Sequence, residues 1–205
     1  MTNNQHRSNP RRFKGTKAAR RAIVVAFLLT ATGCASAKVG YFTLIPPRGA
    51  QISQKVASYD IEVLPVTIPA QIDQSQIVIR RGDGGAAVED LARWTGSPGD
   101  QIRQAVSSEL TARLGARDVS GMSVPSAAKV AKIRINVQRF EFWENDHVLL
   151  DATWQIVHGE QSGKVCERTY EVPALKGNEA LVRAAQQALI RLAEGIAGGL
   201  GRGGC

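Results

Sequence analysis

Histidine is scarce in this sequence. His6, His147 and His158 are the only three in 205 residues. His6 falls in a basic leader, while His147 and His158 stand at the ends of expected strands with no Cys or carboxylate at metal-ligand spacing. The chain also lacks a CxxC pair, an HExxH helix, a GxxxxGK[ST] phosphate loop and a GxSxG nucleophile elbow. These absences argue against a metalloprotease, a nucleotide hydrolase and a serine hydrolase; no catalytic residue, metal ligand or cofactor site is expected. Three cysteines (Cys34, Cys166 and Cys205) are too few for a disulfide-built scaffold. Acidic residues are missing altogether from residues 1–33, which hold seven basic ones. Of the formal net charge of +8, +7 therefore sits in the leader, and 19 basic residues face 18 acidic ones over 34–205. A near-neutral remainder removes the nucleic-acid reading that the total charge suggests. With 43% hydrophobic residues and mixed charge, the rest can bury one ordinary core.

The leader has the layout of an export signal. Basic residues from Arg11 to Arg21 precede an apolar core, Ala22 to Leu29, running on through Thr30-Ala31-Thr32. That run is too short to span a bilayer, and no second run of spanning length follows. Gly33-Cys34 closes it and resembles a bacterial lipobox, in which the Cys thiol receives a diacylglyceryl group and the leader is cut before it. Ala31 stands where a lipobox usually carries Leu. The alternative is an ordinary signal peptide cut near Ala35-Ser36-Ala37. The expected layout is 1–33 signal peptide, 34–40 lipidated tether, 41–200 a single domain and 201–205 a disordered Gly-rich tail. Ala35, rather than Asp, after the Cys points to the periplasmic face of the outer membrane; inner-membrane anchoring and a soluble periplasmic form are the alternatives.

Past the tether, strands are expected at Tyr41–Ile45, Tyr59–Ile68 and Ile77–Arg80. Val88–Trp94 reads as a short helix or an ordered loop. Ser97-Pro98-Gly99-Asp100 has the chemistry of a helix start, followed by Ile102, Val106, Leu110 and Leu114 at four-residue spacing and by Gly115 as a stop. Ile133, Ile135 and Val137 alternate with polar residues, but Phe140 and Phe142 fall on the other parity, which predicts a bulge near Gln138-Arg139. Val148 to Ile156 alternates without a break, so Trp154 should be buried. Glu144-Asn145-Asp146 reads as the hairpin turn between these strands. Val165–Val172 returns as a third strand, and Asn178 opens a last helix with Leu181, Ala185, Leu189, Leu192 and Ile196 in its stripe. The sum is one two-layer α+β domain, a largely antiparallel or mixed sheet with two amphipathic helices on one face. Cys166 and Cys205 could bridge in an oxidising compartment, but Cys205 ends a Gly-rich tail, and the reading taken is two unpaired thiols.

The stretch Gln71–Trp94 admits two readings. In one, Trp94 covers the sheet edge and an Arg pairs with Glu89 or Asp90. In the other, Arg80, Arg81 and Trp94 form a surface that docks a partner, since Arg and Trp are enriched at binding hot spots.

Several motifs in order carry a resemblance. They are the lipobox, Tyr41-Phe-Thr-Leu44, Leu64-Pro-Val-Thr-Ile-Pro69, Ser75-Gln-Ile-Val-Ile-Arg80, Arg93-Trp94 before a helix, Arg139-Phe140-Glu141 and Ala152-Thr-Trp154. This order resembles the ABC-type transport auxiliary lipoproteins, the paraquat-inducible protein C (PqiC) family, over roughly residues 38–200. The resemblance implies a non-enzymatic, membrane-tethered component of a system that moves lipids between inner and outer membranes and maintains envelope integrity. It implies an MCE-domain protein and an inner-membrane permease complex as partners, a possible homo-oligomer, no nucleic acid and no cofactor. Of the family's residues only Cys34, as the acyl-bearing one, carries over. An assembly (pilot) lipoprotein of another envelope machine and an envelope hydrolase using His147 or His158 are the other classes considered.

Overall fold

In a computed structural model, the residues described are 37–47, 57–82, 84–125, 128–159, 163–202 and 205. The leader and Cys34 lie outside them. Lys38–Cys205 forms one compact unit.

Strong alternation builds the centre of the sheet. β5 (Val130–Phe142) and β6 (His147–His158) pair antiparallel, from Ala131 opposite His158 to Phe142 opposite Val148. The register slips between Val137 and Arg139, so one extra residue sits at Gln138 and both halves of the strand keep their apolar side chains inward. Asn145 takes φ 59° in the connecting turn, a conformation Asn tolerates better than most residues. β7 (Val165–Pro173) pairs antiparallel with β6 and forms one edge. Beyond β5 come β3 (Gln76–Arg81), β4 (Gly85–Trp94) and β1 (Gly40–Phe42), in the order β1-β4-β3-β5-β6-β7. β2 (Asp60–Val63) runs parallel to the start of β5, while β3 meets the end of β5 at Ile79 opposite Phe142.

Two helices complete the fold: α1 (Pro98–Leu114) and α2 (Asn178–Arg202). The Asp100 backbone N–H donates to the Ser97 hydroxyl at the start of α1, and Gly115 ends the helix at φ 62°. The α2 helix packs on β6, β7 and α1. Ile102, Val106 and Leu110 of α1 and Leu181, Leu189, Leu192 and Ile196 of α2 are fully buried with Ile77, Ile133, Ile135 and Leu150 of the sheet. Trp154 is 2% exposed, as its alternation required. A Cβ built at Gly195 of α2 would stand 3.5 Å from the Trp154 ring and 2.7 Å from the Tyr170 hydroxyl, so glycine allows the helix to approach this closely. The expected α+β layering therefore holds, with a mixed sheet of seven strands.

Four local expectations are corrected. Val88–Trp94 is strand, the second half of β4. The register jumps from Gln76 opposite Arg93 to Ile77 opposite Glu89, leaving Asp90, Leu91 and Ala92 in a wide bulge that breaks the period-2 pattern. Tyr59–Ile68 is not one strand, because Pro65 has no N–H to give. Regular pairing stops at Val63, yet Leu64 and Thr67 still donate to the carbonyls of Ile133 and Ile135, so the chain continues to track β5. The first strand is shorter than Tyr41–Ile45, because Leu44 turns into the core instead. Cys166 and Cys205 are joined in a disulfide, not free. Helix α2 runs on to Arg202, and this carries the chain's end back to the edge strand, with the two Cα atoms 5.5 Å apart.

Candidate functional site

Alternation on β3, β5 and β6 puts polar residues on the sheet face that the helices leave open. At the end of the sheet nearest the β5–β6 turn these side chains converge. The Arg80 guanidinium carbon lies 5.5 Å from the Trp143 ring centroid, within cation–π range. Trp143 stacks on His147 with planes 16° apart, and its indole N–H donates to Glu141 at 3.3 Å. Arg139 forms two hydrogen bonds to the Glu141 carboxylate, at 2.9 and 3.3 Å. Burial alone would raise the Glu141 pKa, but the Arg139 and Trp143 hydrogen bonds outweigh it and hold the carboxyl below its ordinary value. Arg139 is raised in turn, chiefly by its bond to Glu141. Arg81 has the opposite parity, that of Ile77 and Ile79, but at the exposed strand end it reaches Glu144 at 3.2 Å and Glu89 at 3.7 Å around the sheet's rim. The result is a fixed platform of alternating charge around one indole.

Trp94 is placed differently from its two arginine companions. It is 7% exposed and packs against Phe142 with centroids 5.9 Å apart, while Phe142 packs on Phe140 at 4.9 Å. Its ring lies in the core, beneath the platform, and offers no face to a partner. The packing reading of Trp94 therefore holds, and so does the expected Arg–Glu89 pairing. Trp143 is the aromatic beside Arg80 on the open face. The sequence reading passed over it, although the bulge parity that exposes Glu141 also exposes residue 143.

His147 and His158 occupy opposite ends of the twelve-residue β6, about 36 Å apart at 3.3 Å per residue. They cannot act on one small substrate. His158 meets Tyr59 edge-on at 6.4 Å, beside a cleft of about 550 Å³ also lined by Lys129 and Lys132. The hollow beside Arg80 and Arg139 is far smaller, about 80 Å³. Among the described residues no group of three or more His, Cys, Asp or Glu could hold a metal ion. Among them, too, no helix is long and apolar enough to cross a membrane.

The segment after β1 is a second feature the sequence did not disclose. Leu44 is fully buried, and its N–H donates to Gln101 Oε1 of α1 at 2.8 Å. Gln101 itself is 3% exposed and also donates to the Gly96 carbonyl. From α2, Gln186 Nε2 donates to the Thr43 carbonyl at 2.9 Å. Two glutamines on two helices thus fasten the entry of the chain into the domain.

A family model described as ABC-type transport auxiliary lipoprotein component matches residues 42–197. The chain belongs to this family. Two solved structures bear out the fold. A Xanthomonas campestris protein of the DUF330 family model superposes with a TM-score of 0.60 at 19% identity, covering 78% of this chain and 93% of its own. An uncharacterized protein of known crystal structure superposes with a TM-score of 0.62 at 17% identity, covering 80% and 99%. At these identities the likeness is one of fold. Among curated proteins none matches the chain. Membership makes this an envelope lipoprotein accessory to a transport system and implies transporter partners.

Proposed function

We propose that the protein is an outer-membrane lipoprotein, held to the periplasmic leaflet by acyl chains on Cys34. It serves as the non-enzymatic docking element of an MCE-type system that moves lipids between the inner and outer membranes, together with an inner-membrane permease. The family match over residues 42–197 carries this reading. Two further observations support it. Gly33-Cys34 ends the apolar core of the leader. The Cys166–Cys205 bond suits an oxidising compartment such as the periplasm. That bond also uses two of the three cysteines, so no further cysteine of the chain remains for a disulfide to Cys34.

Arg80 and Arg81, with Trp143 beside them, form the proposed contact surface for the MCE-domain partner. Their charge is held in place by Trp143, Glu144 and Glu89, so little side-chain freedom is lost when a partner arrives. Cys34→Ser should abolish acyl labelling and release the protein from membranes. Capture of the lipidated protein from solubilised envelopes should bring an MCE-domain protein with it. Recovery of a secretin or an assembly barrel in its place would make the protein a pilot lipoprotein.

A further inference from the structure

Eight large apolar side chains are exposed among the described residues, and four of them share one place: Val39, Tyr41, Val88 and Leu91. Single exposed apolar residues are ordinary, but clustering is not. The register explains the cluster. β1 pairs parallel with β4, with Tyr41 opposite Arg93 and Gly40 opposite Ala92. Ala92 and Trp94 are buried against the helices, so Tyr41, Arg93 and, by the same alternation, Val39 and Leu91 face the open side. Val88 pairs with Val78 between the inward-facing Ile77 and Ile79, which places it on that side too. Tyr41 is 67% exposed and Leu91 48%. The bulge at Asp90-Leu91-Ala92 pushes Leu91 out of the ladder.

This edge is also where the chain enters the domain. Five residues separate Cys34 from Gly40, the first residue of β1, a reach of at most about 20 Å over six residue steps. The segment that follows is fixed to both helices through Gln101 and Gln186. An acyl chain on Cys34 would therefore hold the β1–β4 edge near the lipid surface. An amphipathic aromatic, three aliphatic side chains and a cation suit the boundary between headgroups and acyl chains. Arg93, half-buried on this side, supplies the cation. Lys38 adds a second cation, and the exposed Asp90 opposes them.

We propose that Val39, Tyr41, Val88, Leu91 and Arg93 form a lipid-contacting patch that lays the β1–β4 edge on the phospholipid leaflet and raises the β7 edge away from it. The proposal rests on lipidation of Cys34. The two edges are five strand spacings apart, about 24 Å, so they are separable by a depth probe.

The native cysteines leave a clean background for that probe: Cys166 and Cys205 are bonded to each other, and the Cys34 sulfur would be a thioether. Full-length, processed Leu91→Cys and Glu167→Cys proteins, each carrying an environment-sensitive fluorophore, would be reconstituted in phosphatidylethanolamine–phosphatidylglycerol vesicles. Residue 91 should show blue-shifted emission and at least about twofold stronger quenching by doxyl-labelled lipid than residue 167, with Tyr41→Cys behaving like residue 91. Water-like signals at all three sites, in protein that floats with the vesicles, overturn the patch and leave the anchor standing. Protein that does not float overturns the anchor and the patch together. Shielding of residue 91 only after the transport partner is added assigns the surface to a protein and overturns the lipid assignment.

Discussion

The two faces of the sheet are built from the same strands, and they are built for different ends. On the covered face, Ile77, Ile133, Ile135, Leu150 and Trp154 meet two helices with almost no exposure. On the open face, the neighbouring positions hold Arg80, Arg139, Glu141, Trp143 and Tyr41. Burial of large apolar side chains stabilises by roughly 1.5–3 kcal/mol each, while exposed ion pairs contribute between about 0 and 1 kcal/mol. Stability therefore resides in one face. The other is free to carry charge, aromatic surface and the two contacts proposed above. The comparison breaks if substitutions on the open face unfold the domain, or if those on the covered face leave it intact.

The largest effect should come from Trp154→Ala. The ring is buried under Gly195 of α2, and truncation of a core aromatic costs roughly 3–5 kcal/mol. The indole N–H has no hydrogen-bond partner among the described residues, so Trp154→Phe loses volume but no bond and should cost distinctly less. Denaturant melts of the two variants decide this, and a loss below about 1 kcal/mol for Trp154→Ala would place the ring on the wrong face. The disulfide comes next. It joins β7 to the chain's end across a sequence separation of 39. Reduction, or Cys166→Ser with Cys205→Ser, should lower stability by about 2–4 kcal/mol, less if the unfolded chain keeps structure. A melt with and without reductant measures it.

Strand positions were legible wherever alternation was unbroken. β5, β6 and β7 were read with their faces, and even the bulge at Gln138 followed from the parity of Phe140 and Phe142. Both helices were read from their stripes, and α1 also from its caps at Ser97 and Gly115. What failed was non-local. The bulge at Asp90–Ala92 scrambles the period of β4, so a strand reads as a short helix or an ordered loop. The disulfide depends on where α2 delivers residue 205, which no local pattern encodes. The same limit holds at the proposed site. Two adjacent arginines at a strand end were visible, but whether Trp94 or Trp143 stood beside them depended on which β-bulge set each strand's phase.

A smaller effect, and one with a pH signature, is expected at Asp118. This carboxylate accepts hydrogen bonds from the Ser107 hydroxyl of α1 and the Ser120 backbone N–H, and Arg103 lies 3.9 Å away. Burial pushes its pKa up, but the serine hydrogen bonds outweigh burial and leave it below the ordinary value. A carboxyl depressed in the folded state stabilises above its unfolded pKa of about 3.9, and that contribution fades as pH falls through the lower folded value. Asp118→Asn should therefore cost about 1 kcal/mol at neutral pH. The difference between the two proteins should shrink below about pH 4. A gap that stays constant down to pH 3 would assign the loss to packing instead.

The smallest effect on stability should come from the residues assigned the largest role in binding. Arg81 is half exposed, and its pairs with Glu144 and Glu89 span 3.2 and 3.7 Å across solvent-accessible surface. Arg80 lies against Trp143 on the open face, where a cation–π contact contributes about 0.5–1 kcal/mol. Arg80→Ala combined with Arg81→Ala should thus shift stability by no more than about 1–2 kcal/mol, since neither change opens a cavity. Capture of the proposed MCE-domain partner should fall at least several-fold, because a partner loses two directional cations at once. Trp94→Phe serves as the counterpart from the covered side: it should disturb packing on Phe142 while leaving capture unchanged. If the arginine pair unfolds the domain, the division between faces is wrong. If the domain stays folded and capture is normal, the division stands and the partner meets the protein elsewhere.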